Sequence, residues 1–173
     1  KISVLRFNFN YTDKRLIDGK KYPPERMPKL LTCFEQVLKE HQSELPLFLM
    51  GKSMGGRVAA TLMSDEGAEY EVSDNIHGVI CLGYPFHPQK KPENLRLAPL
   101  QLPKLNTLIL QGERDALGNK AEIDSYDISD KVKIKYFEDG DHDLKPRVKS
   151  GFTHQQHIEC ASQHIIRFID EQC

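Results

Sequence analysis

Gly51-Lys52-Ser53-Met54-Gly55 lies between the apolar run Leu47-Phe48-Leu49-Met50 and the small-residue run Gly56-Arg57-Val58-Ala59-Ala60. A buried strand, a sharp turn and the first turn of a helix are the setting that a G-x-S-x-G nucleophile elbow requires. The serine backbone in such a turn is strained and the neighbouring chain passes close by, so both glycines are expected where a Cβ would find no room. The hydroxyl of Ser53 is then held out beyond the end of the strand.

Working outward from this turn, five segments read as buried strands: residues 2–9, 47–50, 78–82, 107–110 and 132–137. Most are short continuous apolar runs, as expected of parallel strands covered on both faces. Helical patterns alternate with them. Met27, Leu30, Leu31, Phe34, Val37 and Leu38 form one stripe, Val58, Ala59, Leu62 and Met63 a second, and Ile158, Ala161, Ile165, Phe168 and Ile169 a third. A short helix is expected to start at Lys120. Strand–helix alternation predicts an α/β fold with a mostly parallel sheet, helices on both faces, and ligands beyond the C-terminal strand ends.

Composition narrows the function classes. The chain has 173 residues with 24 basic and 25 acidic side chains, a net charge of -1 that offers no electrostatic argument for a nucleic acid or membrane partner. No apolar run approaches the ~20 residues of a membrane span, and Lys1 leads directly into strand-like sequence, so no signal peptide is expected. Cys33, Cys81, Cys160 and Cys173 are widely spread with no C-x-x-C pair, which predicts free thiols, a reducing cytoplasmic setting and no cysteine-based metal site.

A serine nucleophile needs a base to take its proton and a group to orient that base. Asp115 follows the segment 107–110 in Gln111-Gly112-Glu113-Arg114-Asp115, and His142 follows the segment 132–137 in Asp139-Gly140-Asp141-His142-Asp143-Leu144. Both fall on loops after strands, as Ser53 does, so one sheet edge gathers all three. Glu113 and Asp141 are rival acids, and Asp115 could instead cap the segment that begins near Ala116.

Three blocks carry a resemblance: Gly51-Lys52-Ser53-Met54-Gly55-Gly56-Arg57, Leu82-Gly83-Tyr84-Pro85-Phe86-His87-Pro88 and Gly140-Asp141-His142-Asp143-Leu144. The sequence resembles the α/β-hydrolase superfamily near its small dienelactone-hydrolase-like members, within a cluster of mostly uncharacterised predicted hydrolases. The resemblance implies an α/β-hydrolase fold in which Ser53 is the nucleophile, His142 the general base and then acid, and Asp115 the orienting carboxylate. It implies ester, thioester or related acyl chemistry, no cofactor and no metal, with the N–H of Met54 as one oxyanion donor. Dienelactone hydrolases commonly use cysteine where Ser53 stands, so their substrate is not carried over. The family fold begins with strands ahead of residues 2–9, one of them supplying the other oxyanion donor. Residues 1–173 are therefore expected to be a single hydrolase domain, N-terminally incomplete and too short after residue 82 for a cap. The expected site is shallow and open, walled by Asn10, Tyr11, Tyr84 and Phe86, and takes a small soluble ester. The alternative is a binding or scaffold module of the same fold that has lost catalysis.

The remaining polar residues have plainer readings. His154 and His157 have the i, i+3 spacing of a metal pair but no third ligand, so a solvated helix face is expected. His87 either borders the site or packs its loop, and Lys52 is expected to project into solvent. Neither G-x-x-x-x-G-K-[ST] nor G-x-G-x-x-G occurs, so the glycines around Ser53 are not a phosphate loop.

Overall fold

A computed structural model describes residues 2–41 and 43–173; Lys1 and Gln42 lie outside it. Four strands, β1 (Leu47–Lys52), β2 (Ile76–Leu82), β3 (Thr107–Gly112) and β4 (Val132–Phe137), form one sheet in the order β1-β2-β3-β4. Every pairing is parallel. All six residues of β3 are buried, which explains its unbroken Thr107-Leu108-Ile109-Leu110 run. In β4 the exposed Lys133 and Lys135 alternate with half-buried neighbours, the pattern of an edge strand that keeps other strands from adding.

Among the described residues six α-helices accompany the sheet: α1 (Asn10–Asp18), α2 (Met27–Glu40), α3 (Met54–Leu62), α4 (Ala98–Gln101), α5 (Lys120–Ile123) and α6 (His154–Gln172). The pleat sends alternate side chains to opposite faces and so builds two apolar layers. Val79, Cys81 and Ile109 join Leu30, Phe34, Val58, Ala59 and Leu62 of α2 and α3 on one side. Ile80, Leu108 and Leu110 join Ala161 and Phe168 of α6 on the other. Each fully buried leucine, isoleucine or phenylalanine contributes about 1.5–3 kcal/mol. Helices therefore cover both faces of a parallel sheet, the α/β architecture that the alternation predicts. No helix among the described residues is long and apolar enough to cross a membrane.

Local signals set the helix ends. Thr153 caps α6 in a reciprocal capping box with Gln156. Asn119 and Glu122 do the same for α5, the short helix expected at Lys120. The stripe of α6 holds at Ala161, Ile165, Phe168 and Ile169 and departs from expectation only at its N-terminal end, where His157 is buried and Ile158 is 38% exposed.

Residues 2–9 are a correction. They form no strand; Ile2, Val4 and Leu5 are exposed, while Phe7 packs on Phe34 at 4.9 Å. A strand needs a neighbouring ladder for its N–H and C=O groups, and no described segment presents one to residues 2–9. The helix α1 that follows has no buried residue and ends at Gly19 in the left-handed region (φ 71°), the usual helix stop.

Candidate active site

Ser53 is the single residue between the end of β1 and the start of α3, at φ 51° and ψ -115°. A side chain at positive φ costs of order 1–3 kcal/mol and persists only where both flanks over-determine it. Here they do. Ser53 N–H donates to Leu82 O at 2.8 Å, extending the β1–β2 pairing, and Ser53 O accepts from Arg57 N–H at 3.0 Å, opening α3.

The glycines around the turn divide in an unexpected way. A Cβ on Gly51 would lie 2.2 Å from Gly55 C, and one on Gly56 would lie 2.8 Å from Gly51 O and 3.1 Å from Cys81 Cβ. Gly55, the second glycine of the motif, has nothing within 4 Å of an added Cβ. Close packing therefore demands glycine at 51 and 56, not at 55.

The sheet edge brings the three expected groups into one line. His142 Nε2 is 2.9 Å from Ser53 Oγ, and His142 Nδ1 is 2.7 Å from Asp115 Oδ2. A carboxylate only accepts, so Nδ1 carries the proton and Nε2 is left to accept from the serine hydroxyl. Asp115 is fully buried. Its Oδ1 accepts from Leu117 N–H at 2.8 Å, and its Oδ2 also accepts from Gln111 Nε2 at 2.9 Å. The rival acids are engaged elsewhere: Glu113 pairs with Lys120 at 3.1 Å, and Asp141 Oδ1 accepts from the N–H groups of Asp143 and Lys145.

Several supports for this line were not expected. Gln111 is buried, donates also to Gly118 O at 2.9 Å, and accepts from Tyr84 N–H at 2.9 Å. Lys52 does not simply project into solvent: its Nζ reaches His142 O at 3.0 Å and Asp143 Oδ1 at 2.8 Å. That hydrogen bond with Lys52 holds the Asp143 carboxyl below its usual range. His154 and His157 are not a free helix face, since His154 Nε2 meets Asp143 O at 2.9 Å and buried His157 Nδ1 meets Leu144 O at 2.8 Å. Behind them, Arg147 clamps Asp139 and holds its carboxyl well below the ordinary range.

The expected walls need correcting. Tyr84 and Phe86 are fully buried, their rings 5.0 Å apart edge to face, and Tyr84 Oη donates to Arg96 O at 2.9 Å. They belong to the core because the loop after β2 turns inward at Gly83. His87 is buried too and packs its own loop, with Nδ1 2.9 Å from Pro88 O and Nε2 3.3 Å from Glu122 Oε2. Asn10 and Tyr11 open α1, where Tyr11 stacks on Phe9; neither hydrogen-bonds to Ser53 or His142 among the described residues. The N–H of Met54, first residue of α3, has no acceptor among the described residues.

Comparison with known proteins bears on the fold. An alpha/beta hydrolase domain family matches residues 1–170. An alpha-beta serine hydrolase homologue from Coxiella burnetii superposes with TM-score 0.55 at 16% identity, over 85% of this chain and 62% of that one. A monoacylglycerol lipase from Paleococcus ferrophilus gives TM-score 0.51 at 13% identity, over 81% and 76%. A protein of unknown function from Agrobacterium tumefaciens gives 0.55 at 13%, over 90% and 68%. The chain thus spans less than two thirds of the Coxiella protein's length. With the family match running over nearly all of its residues, this chain belongs to the α/β-hydrolase family.

Proposed function

We propose that this chain carries a serine hydrolase site that cleaves a carboxylic ester, thioester or similar acyl bond through an acyl-enzyme. The observation that carries the reading is the unbroken Ser53–His142–Asp115 hydrogen-bonded line. Ser53 Oγ attacks the carbonyl carbon as His142 Nε2 takes its proton. Asp115 keeps the imidazole in the tautomer that can do so and stabilises its charged form. Collapse of the tetrahedral adduct expels the alcohol or thiol, which receives the proton from His142. A water, activated by the same nitrogen, then releases the acid and restores Ser53.

In this reading the N–H of Met54, at the positive end of α3, serves as an oxyanion donor. One such donor is typically worth about 10²–10³ in rate. Residues 1–173 act as one domain in this reading, and among the described residues the only helix between β2 and β3 is the four-residue α4, which leaves no cap. A small ester fits better than a lipid enclosed in a tunnel. The four free thiols support a cytoplasmic setting.

Labelling with a fluorophosphonate probe tests the proposal, with Ser53→Ala as control. Labelling confined to the unsubstituted protein supports it and justifies a screen of esters and thioesters. Folded protein that takes no label overturns it and leaves a binding module of the same fold.

A further inference from the structure

Arg57 Nε is the one buried side-chain nitrogen or oxygen without a hydrogen-bond partner among the described residues. A buried donor left unpaired costs about 1–3 kcal/mol, so such an atom calls for a physical account. Arg57 lies one helical turn past Ser53, its N–H bonded to Ser53 O. Helical side chains lean toward the helix N-terminus, which carries the Arg57 stem over the turn that starts at Ser53.

A second arginine shares this situation. Arg96 belongs to the loop that leaves β2 beyond Gly83, whose backbone lies against His142. That loop folds back on itself: Arg96 N–H donates to Phe86 O at 2.8 Å, and Arg96 O accepts the Tyr84 hydroxyl. Arg57 and Arg96 are both half-buried. Neither guanidinium has an ion pair or a hydrogen bond among the described residues. Arg114 and Arg147 show the contrast, since both pair with Asp139. Burial first, and the charge of Arg57 second, hold Arg96 below the usual arginine range. Glu66, the acid whose charge acts on Tyr84, is outside ion-pair range of both. Two half-buried guanidinium groups with no paired carboxylate among the described residues, one on α3 and one on the loop that leads into α4, which packs on α3, present forked donors matched to a planar or tetrahedral oxyanion.

We propose that Arg57 and Arg96 form an anion-binding site beside Ser53, which takes a carboxylate or phosphate carried by the acyl substrate. The site would make the substrate a negatively charged ester or thioester, and this part rests on the serine hydrolase reading above. The anion fills the place of the missing acid, satisfies Arg57 Nε and offsets the repulsion between the two guanidinium groups. It also orients the acyl group from a point one turn away from the nucleophile.

The test compares 4-nitrophenyl hemisuccinate with the uncharged 4-nitrophenyl butyrate in the unsubstituted protein, Arg57→Gln and Arg96→Gln. The ratio of kcat/KM for the charged ester to that for the neutral one is expected to fall about tenfold or more in each variant, mostly through KM. A merely structural role lowers both esters together and leaves the ratio unchanged, which overturns the substrate assignment. Because a half-buried arginine variant can fail to fold, calorimetric titration of the unsubstituted protein with inorganic phosphate and with succinate runs in parallel. Binding of either anion supports the site and the tighter one names its chemistry; no binding of either overturns it. Anion binding without turnover of any ester removes the hydrolase reading and leaves the site standing. Turnover with neither charge preference nor anion binding does the reverse.

Discussion

The amide of Gln111 and the imidazole of His142 meet on the same oxygen of Asp115: Nε2 of the one lies 2.9 Å from Oδ2 and Nδ1 of the other 2.7 Å. Gln111 leaves β3 one residue before its end and is wholly enclosed, so its remaining bonds go to Tyr84 and Gly118. The orientation of Asp115 is thereby tied to the loops after both β2 and β3.

Gln111→Glu tests this support. The variant loses an amide donor and sets a second acid beside a buried carboxylate, which raises the pKa of the pair. The acid limb of the pH–rate profile is expected to move to higher pH, with kcat/KM lowered about tenfold to a hundredfold at neutral pH. A lower rate with an unmoved profile would mean that Gln111 only packs the core.

Ser53→Gly separates strain from chemistry. Turnover and probe labelling are expected to fall by about 10⁴ or more. Glycine accepts φ 51° freely, so stability should rise by about 1 kcal/mol, or roughly 2–4 °C in Tm for a chain of this size. A calorimetric scan showing a lower Tm would remove the strain argument.

Gly51 and Gly55 look equivalent in the motif and should behave oppositely. Gly51→Ala drives a Cβ into the backbone of Gly55 and is expected to prevent folding or to lower stability by several kcal/mol. Gly55→Ala meets open space inside a helix and should gain up to about 1 kcal/mol. Chemical denaturation of the two variants reads the difference, and equal losses would contradict the packing described.

The Lys52–Asp143 pair has a defined pH signature. The Lys52 hydrogen bond depresses the Asp143 carboxyl, so its contribution is present above the ordinary aspartate value of 3.8 and is lost as pH falls through the folded value. The Tm gap between the unsubstituted protein and Lys52→Met should therefore be widest near neutral pH and shrink in acid. A gap that grew on acidification would show that the ion pair does not support the His142 loop.

Much of this architecture is legible without coordinates because its determinants are local. Apolar runs at 47–50, 78–82, 107–110 and 132–137 become strands, and turn residues after them place Ser53, Asp115 and His142 at one edge. Other features depend on what lies opposite. Residues 2–9 have strand composition, yet no described segment pairs with them. Tyr84 and Phe86 have the look of site walls, yet the loop turns them into the core.

Gln111, Lys52, His154, His157, Arg57 and Arg96 carried no decisive sequence signal, since each acquires its meaning from a partner distant in the chain. Lys52, for example, bonds a carbonyl 90 residues away. The sequence by itself determined the elbow, the order of the three polar groups and the alternating elements, because periodicity and turn chemistry act within a few residues. Only the tertiary structure decided which side chains are desolvated, which charges are paired and which glycine cannot bear a Cβ, because burial and hydrogen bonding depend on segments that meet only after folding.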